Sequence, residues 1–299
     1  MNVLVIGAGL VGTEVGARLR ALGHEVAGTT TTPGKVDGLR EQFDEVLVLR
    51  GSDREAVRAA MAGRDAVVVA AGPNAQRAMT PEDRAASYRE ILVDTAESVV
   101  GSSVAAADDA PYLVALSSLS VYGGAANHLP EVTEDSPVTD STDPSPTMFL
   151  AMERTYLAPP DSGGAGDRAV VFRCGDIFGA DDPPIEAKIG MAHQYLGGSV
   201  PFSADALFYR LAVEDAADAI VHALESRITG VHNLTHAEVP PTNEALFDAI
   251  SAAQGLPALV YRDEIAAPTQ PISVARLTAS GFVASRSYDA ATLAKATQA

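Results

Sequence analysis

Cysteine occurs once in this chain of 299 residues, at Cys174, and tryptophan not at all. A single cysteine excludes an intrachain disulfide and any metal cluster built on several thiolates. Lysine is almost as scarce: Lys35, Lys188 and Lys295 are the only three. Any chemistry that needs an amine therefore has few candidates. Positive charge as a whole is thin, with 21 Lys and Arg against 39 Asp and Glu, a formal net charge of −18. Such a chain repels nucleic acid and anionic membranes, so neither is expected as a partner. No apolar run reaches the length of a membrane span. The first residues form a strand pattern and not a basic segment followed by an apolar one. The expectation is a cytoplasmic protein, working as a monomer or homodimer.

What is present is a core. Hydrophobic residues make up 47% of the chain, and they fall into short apolar runs separated by helical patterns. Strands are expected at Asn2–Gly7, His24–Thr29, Glu45–Leu49, Asp65–Ala71, Tyr112–Ser117 and Ala169–Arg173. Helices are expected at Val11–Leu22 and Arg54–Met61, with one long helix from about Pro81 to Val100. Strands apolar throughout and joined by crossover helices imply a parallel sheet covered on both faces. The predicted fold class is therefore α/β, a doubly wound parallel sheet of the Rossmann type. Residues 1–180 form its dinucleotide-binding part. Residues 181–299, with helices at Ala187–Leu196, Val213–Glu225 and Asn243–Gln254, form a smaller substrate-binding region that partly returns to the main sheet.

Gly7-Ala-Gly-Leu-Val-Gly12 joins the first strand to the first helix. In that context Gly7 permits a tight turn, Gly9 lets backbone N–H groups reach a pyrophosphate, and Gly12 lets helix and strand pack closely. Leu10 and Val11 complete the turn, and the helix N-terminus favours the anion. After the second strand, NAD enzymes usually place an acid on the ribose hydroxyls. Here the chain runs Gly28-Thr-Thr-Thr-Thr-Pro-Gly-Lys35 and has no acid before Asp37. Thr30, Thr31 and Lys35 suit a 2′-phosphate, so NADPH is the expected cofactor, with NADH as the alternative. Ser52 and Asp53 are candidates for the adenine. Ala70, Ala71 and Gly72 are small enough to let a dinucleotide pass, though close packing accounts for them equally well.

These features resemble the short-chain dehydrogenase/reductase superfamily, in its extended, NAD-dependent epimerase/dehydratase-like branch. Ser117-Ser-Leu-Ser-Val-Tyr-Gly123 looks like the strand end that carries the branch's active-site Ser or Thr, and the resemblance places that role on Ser118. Arg173-Cys-Gly-Asp-Ile-Phe-Gly179 is similar to the segment lining the nicotinamide, which brings in Cys174 and Ile177. Arg210-Leu-Ala-Val-Glu-Asp-Ala216 looks like the segment leading to a helix beside the substrate. The family's usual chemistry uses Tyr-x-x-x-Lys on the helix after Ser118: the lysine lowers the Tyr pKa, and the Tyr exchanges a proton with the substrate. None of the eight tyrosines here has a lysine four residues on. Aligning Glu153 with the acid that follows the motif puts Ser145 and Phe149 in the two positions. A second alignment puts Phe149 and Glu153 there. Neither makes the usual pair, so the chain is an atypical member.

The same helix carries Met148, Phe149 and Met152, with Tyr156 continuing the four-residue spacing. Met191 and Tyr195 repeat it on a later helix, followed by Phe202. Such stripes are more often core than pocket, but the resemblance puts these elements around the substrate. There they would form an adaptable apolar wall for a flat aromatic molecule. Arg210 is the main cation close enough to meet an acidic group. The lost pair and the arginine-rich style also resemble ketoreductases of angucyclinone antibiotic biosynthesis, which implies reduction of a small-molecule polycyclic aromatic ketone. A dinucleotide-binding regulator without catalysis and a nucleotide-sugar epimerase or dehydratase are the alternatives. No metal is expected: His232 and His236 have ligand-like spacing but no carboxylate partner in sequence.

Overall fold

The computed structural model describes residues 1–73, 80–106, 109–180 and 183–285. Residues 181 and 182, where the two regions were expected to divide, lie outside that set. The chain begins with β1 (Asn2–Ile6), α1 (Leu10–Ala21), β2 (Glu25–Thr30), α2 (Val36–Leu39) and β3 (Glu45–Val48). It continues with α3 (Arg54–Met61), β4 (Ala66–Val69), α4 (Pro81–Tyr88), α5 (Thr95–Ala105), β5 (Tyr112–Ser118), α6 (Pro144–Leu157) and β6 (Ala169–Cys174). Two short strands and a helix follow, β7 (Asp176–Phe178), α7 (Ile185–Leu196) and β8 (Ser199–Phe202). The remaining elements are β9 (Arg210–Ala212), α8 (Val213–Ser226), β10 (Gly230–Leu234), α9 (Asn243–Ala253), β11 (Val260–Ile265) and α10 (Ala275–Ala279).

Seven strands make one parallel sheet in the order β10-β6-β5-β4-β1-β2-β3. The order reverses between β1 and β4, and a crevice opens at the carboxyl ends of strands at such a point. Alternate residues of the strands feed two cores. Val68, Val114, Phe172 and Cys174 face α1 and α8, while Val67, Val69, Leu113 and Val171 face the α3, α5 and α6 layer. A β-strand that is apolar at every position is the direct reason both faces are covered. β10 comes from the late part of the chain and pairs with β6. The second lobe has its own core, in which Ile185, Ile189, Leu246, Phe247 and Ile250 join α7 to α9, beside the β8–β11 pair.

The long helix expected over residues 81–100 is interrupted. Arg89–Asp94 is π-helical between α4 and α5, and the helix runs on to Ala105. Thr95 Oγ1 donates to the carbonyl of Glu90 across this wider turn. The extra residue per turn puts Glu90, Ile91 and Thr95 on one wall of the crevice. Gly51 lies against that wall, where a Cβ would come within 2.5 Å of Thr95 Oγ1.

A buried polar network ties α6 to the sheet. Arg173 on β6 and Glu153 on α6 are both about 95% buried and form a forked pair at 2.7 and 3.0 Å. Ser117 donates to the same carboxylate at 2.6 Å. On its other side the Arg173 guanidinium stacks on the Tyr122 ring and donates to its hydroxyl. The Tyr122 hydroxyl donates to Asn233 on β10, whose N–H meets the Glu134 carboxylate. Burial opposes the Arg173 charge, but the hydrogen bonds and charge of Glu153 outweigh it and hold the group above its ordinary pKa. Burial pushes the Tyr122 phenol up, against the pull of Arg173 and Asn233.

Removing one partner of such a pair strands the other charge. Glu153→Ala is expected to cost about 3–5 kcal/mol in urea unfolding. The double variant Glu153→Met with Arg173→Met should cost less than that single change, because no charge is left uncompensated. A cost for Glu153→Ala below about 1 kcal/mol would show that the pair does not anchor α6.

Candidate functional site

The crevice at the carboxyl ends of β1, β2, β3 and β4 is a groove of about 440 Å³. Its floor is the glycine turn. Gly7 has φ +98°, and a Cβ there would press within 2.6 Å of the Ala71 backbone. A Cβ on Gly12 would lie 2.1 Å from the Gly7 carbonyl oxygen. Both positions are closed to any larger residue. Gly9 differs: a Cβ there meets no protein atom within 4 Å. The space before the α1 N-terminus is thus clear, with backbone N–H groups and the helix dipole directed at it. Thr29 pins the turn from the side, its hydroxyl accepting from Gly7 N–H and its carbonyl from Ala8 N–H. This arrangement fits the diphosphate of a dinucleotide.

Of the residues expected to meet the dinucleotide, Gly7, Gly9, Thr30, Thr31, Lys35, Ser52, Ala70, Ala71 and Gly72 line the groove. Thr30 is nearly buried, and its hydroxyl accepts from Thr32 N–H, while Thr31 and Lys35 are exposed at the rim. Three expectations need correction. Asp53 caps α3, its carboxylate accepting from Ala56 N–H, and does not line the groove. Val11 points into the core under α1, so only its backbone belongs to the turn. Cys174 also lies in that core, because it shares the face of Val170 and Phe172; burial pushes its thiol well above the ordinary range. Leu10 is exposed and its side chain touches the space beside Gly179. Ile177 is half-buried on β7.

Sequence reasoning missed Arg50. It stands two residues past the end of β3, lines the same groove as Lys35 and donates to Glu90 at 3.0 Å. Ser52 Oγ donates to the same carboxylate oxygen at 3.3 Å. A cation one residue beyond the expected strand Glu45–Leu49 was a readable signal. The Glu90 partner was not, because it lies 40 residues further along the chain and no local pattern joins the two.

Ser118 is the last residue of β5, next to the β4 strand whose end forms the groove. Its hydroxyl oxygen accepts from Ser120 N–H at 3.1 Å, and among the described residues no acceptor takes its own proton. On α6 Glu153 bonds Arg173, and the alignment that makes Glu153 the acid after the motif has Ser145 and Phe149 in the two motif positions. Ser145 sits in the first turn, with its N–H on the capping carboxylate of Asp143. Phe149 meets Tyr88 edge to face at 6.4 Å.

The expected apolar wall is only partly assembled. Met152 is 2% exposed in the core, with Tyr156 beside it, because the side of α6 that carries them faces the sheet. Met152 is therefore removed from the substrate wall. Met148 and Phe149 are half-buried at the edge of that core. Met191, Tyr195 and Phe202 are exposed on the second lobe, with Phe202 edge to face against Phe247. Arg210 is buried on β9, its guanidinium over the Phe178 ring at 4.0 Å. Among the described residues no three His, Cys, Asp or Glu side chains converge as a metal site. His232 bonds the Thr229 carbonyl, and His236 lies 3.9 Å from Asp215. No helix among the described residues is long and apolar enough to cross a membrane.

The chain is 30% identical over 256 residues to a 3-diazoavenalumate denitrifying reductase from Streptomyces, covering 82% of this chain and 79% of that one. Its fold is similar to that of the human epimerase family protein SDR39U1 with NADPH, at 22% identity and TM-score 0.70 over 100% of this chain and 99% of that one. It is also similar to a short-chain dehydrogenase/reductase superfamily protein from Agrobacterium tumefaciens with bound NAD. That match has 22% identity and a TM-score of 0.72, over 99% of this chain and 96% of that one. The NAD dependent epimerase/dehydratase family matches residues 3–235, and with the glycine turn, the Ser118 strand end and the Glu153–Arg173 pair in place, the chain belongs to it.

Proposed function

We propose that this protein is an NADPH-dependent reductase of a polycyclic aromatic ketone, an angucyclinone-like intermediate of antibiotic biosynthesis. The observation that carries the reading is the combination of a clear dinucleotide groove with Phe149 where the family's lysine would stand. The groove retains what binding and orientation need, while the helix offers an apolar surface and no phenol–amine pair. The reductase name of the Streptomyces relative supports the class of reaction. The NADPH and NAD named with the two structural neighbours support a nicotinamide cofactor.

The glycine turn and the α1 N-terminus would hold the diphosphate, and Lys35 with Arg50 a 2′-phosphate. NADPH, when bound, supplies the hydride. Ser118 donates its free proton as a hydrogen bond to the ketone oxygen and polarises it. The final proton comes from water or from a substrate hydroxyl, because neither Ser145 nor Phe149 can relay one as the usual pair does. Proton delivery by a side chain contributes typically 10²–10⁴-fold, a loss that an electron-poor aromatic ketone tolerates better than a sugar. The same absent pair supports a second reading, a dinucleotide-binding regulator without turnover, and weighs against a nucleotide-sugar epimerase or dehydratase.

Purified protein should oxidise NADPH in the presence of angucyclinone or related aromatic ketones, followed at 340 nm. No turnover across such a panel, with NADPH still bound, would leave the regulator. Ser118→Ala should slow turnover by roughly tenfold or more, and an unchanged rate would remove Ser118 from the chemistry.

Two binding measurements by calorimetry test the groove. Gly9→Ala should fold normally, since a Cβ there meets no protein atom within 4 Å, yet lose NADPH affinity by intruding on the diphosphate space. Arg50→Ala should weaken NADPH by about tenfold while leaving NADH within a factor of two. Equal losses for both would assign Arg50 no part in recognising the 2′-phosphate.

A further inference from the structure

Arg210 is a buried charge whose side chain has no hydrogen-bonded partner among the described residues. Its side chain is 10% exposed, and Nε is fully buried without a hydrogen bond among the described residues. Among the described residues the carboxylate paired with it is that of Asp176, whose oxygen lies 3.9 Å from that Nε on a side chain that is about half exposed. The guanidinium also rests on the Phe178 ring at 4.0 Å. Arginine stays ionised at any physiological pH. Buried charges are ordinarily paired and hydrogen-bonded, because desolvation is otherwise uncompensated.

The contrast with Arg173 is direct. Arg173, equally buried, has five hydrogen bonds to Glu153, Tyr122 and the Glu134 backbone. Both arginines stack on an aromatic ring, but one is saturated and the other has donors to spare. Arg210 lies on β9, and β9 pairs with β7 immediately after the β6 strand end. That puts it beyond the carboxyl edge of the sheet, on the side away from the Lys35–Arg50 end of the groove.

We infer that Arg210 is an anion subsite, and that the substrate carries an acidic group, a carboxylate or an ionised acidic phenol, which its planar fork grips. The inference rests on the ketoreductase reading for the identity of the ligand, while the anion subsite itself does not. Arg presents parallel N–H groups that match a carboxylate with two hydrogen bonds. The Phe178 ring beneath it fixes the plane of the fork and offers an apolar surface on which an aryl group can continue. Asp176 holds the empty fork in place and competes with the incoming anion. An acid anchored here would set which carbonyl of a flat substrate faces Ser118.

The test uses 9-fluorenone-2-carboxylate and its neutral carboxamide as probes, titrated into the NADP⁺-loaded protein. The wild type should bind the carboxylate at least tenfold tighter than the carboxamide. Arg210→Met keeps the stem on Phe178 and removes the charge, so it should fold with an undiminished Tm and lose the preference. Asp176→Asn removes the competing carboxylate and should increase the preference several-fold. Equal binding of the two probes by the wild type would overturn the proposal. So would an Arg210→Met variant that keeps the preference, or one whose Tm falls sharply, since the arginine would then be structural. Turnover of neutral and acidic ketones alike would refute the subsite and leave the reductase reading standing. Acid binding that depends on Arg210, without NADPH oxidation on any ketone, would do the reverse.

Discussion

One buried ion pair sets the geometry on which the candidate site depends. Glu153 and Arg173 join α6 to β6 where the strands end, and Ser117 adds a third contact from β5. Two charges taken out of water are stable only when their remaining donors and acceptors are also met. Here Tyr122, Asn233 and Glu134 meet them, and in doing so they bring β10 and the segment after β5 into the same cluster. Ser118, one residue from Ser117, inherits its place from this cluster. So does the side of α6 that carries Ser145 and Phe149.

That anchor holds the helix in place whatever residues stand at positions 145 and 149. The family's Tyr and Lys would lie on α6, but the residues that fasten α6 lie one turn later and beneath it. Phe149 and Ser145 stand at the edge of the cluster and contribute little to it. The fastening and the chemistry occupy different sides of one helix, so the second can change while the first persists.

The sheet, its parallel sense and the glycine turn were legible because each rests on a short-range rule. Apolar strands, crossover helices and Gly7–Gly12 all state their role within a few residues. What was not legible depended on side-chain direction. Cys174 follows from the resemblance of its segment and Met152 from the four-residue spacing on its helix, but strand alternation and helix phase turn both into the core. Asp53 was read as a ligand contact when its position one residue before α3 already identified it as a cap. Arg50 escaped because its partner Glu90 comes from a π-helical turn that no apolar periodicity announces.

The Arg50–Glu90 contact joins two exposed side chains across the mouth of the groove. Coulomb attraction between solvated groups weakens as ions crowd in, and at 0.15 M salt the screening length is about 8 Å. The tethered state of Arg50 is thus a property of the surrounding electrolyte as much as of the fold. In dilute buffer the carboxylate holds the guanidinium to the π-helical wall. In concentrated salt the arginine is released, and the entrance presents a more mobile positive charge to whatever approaches.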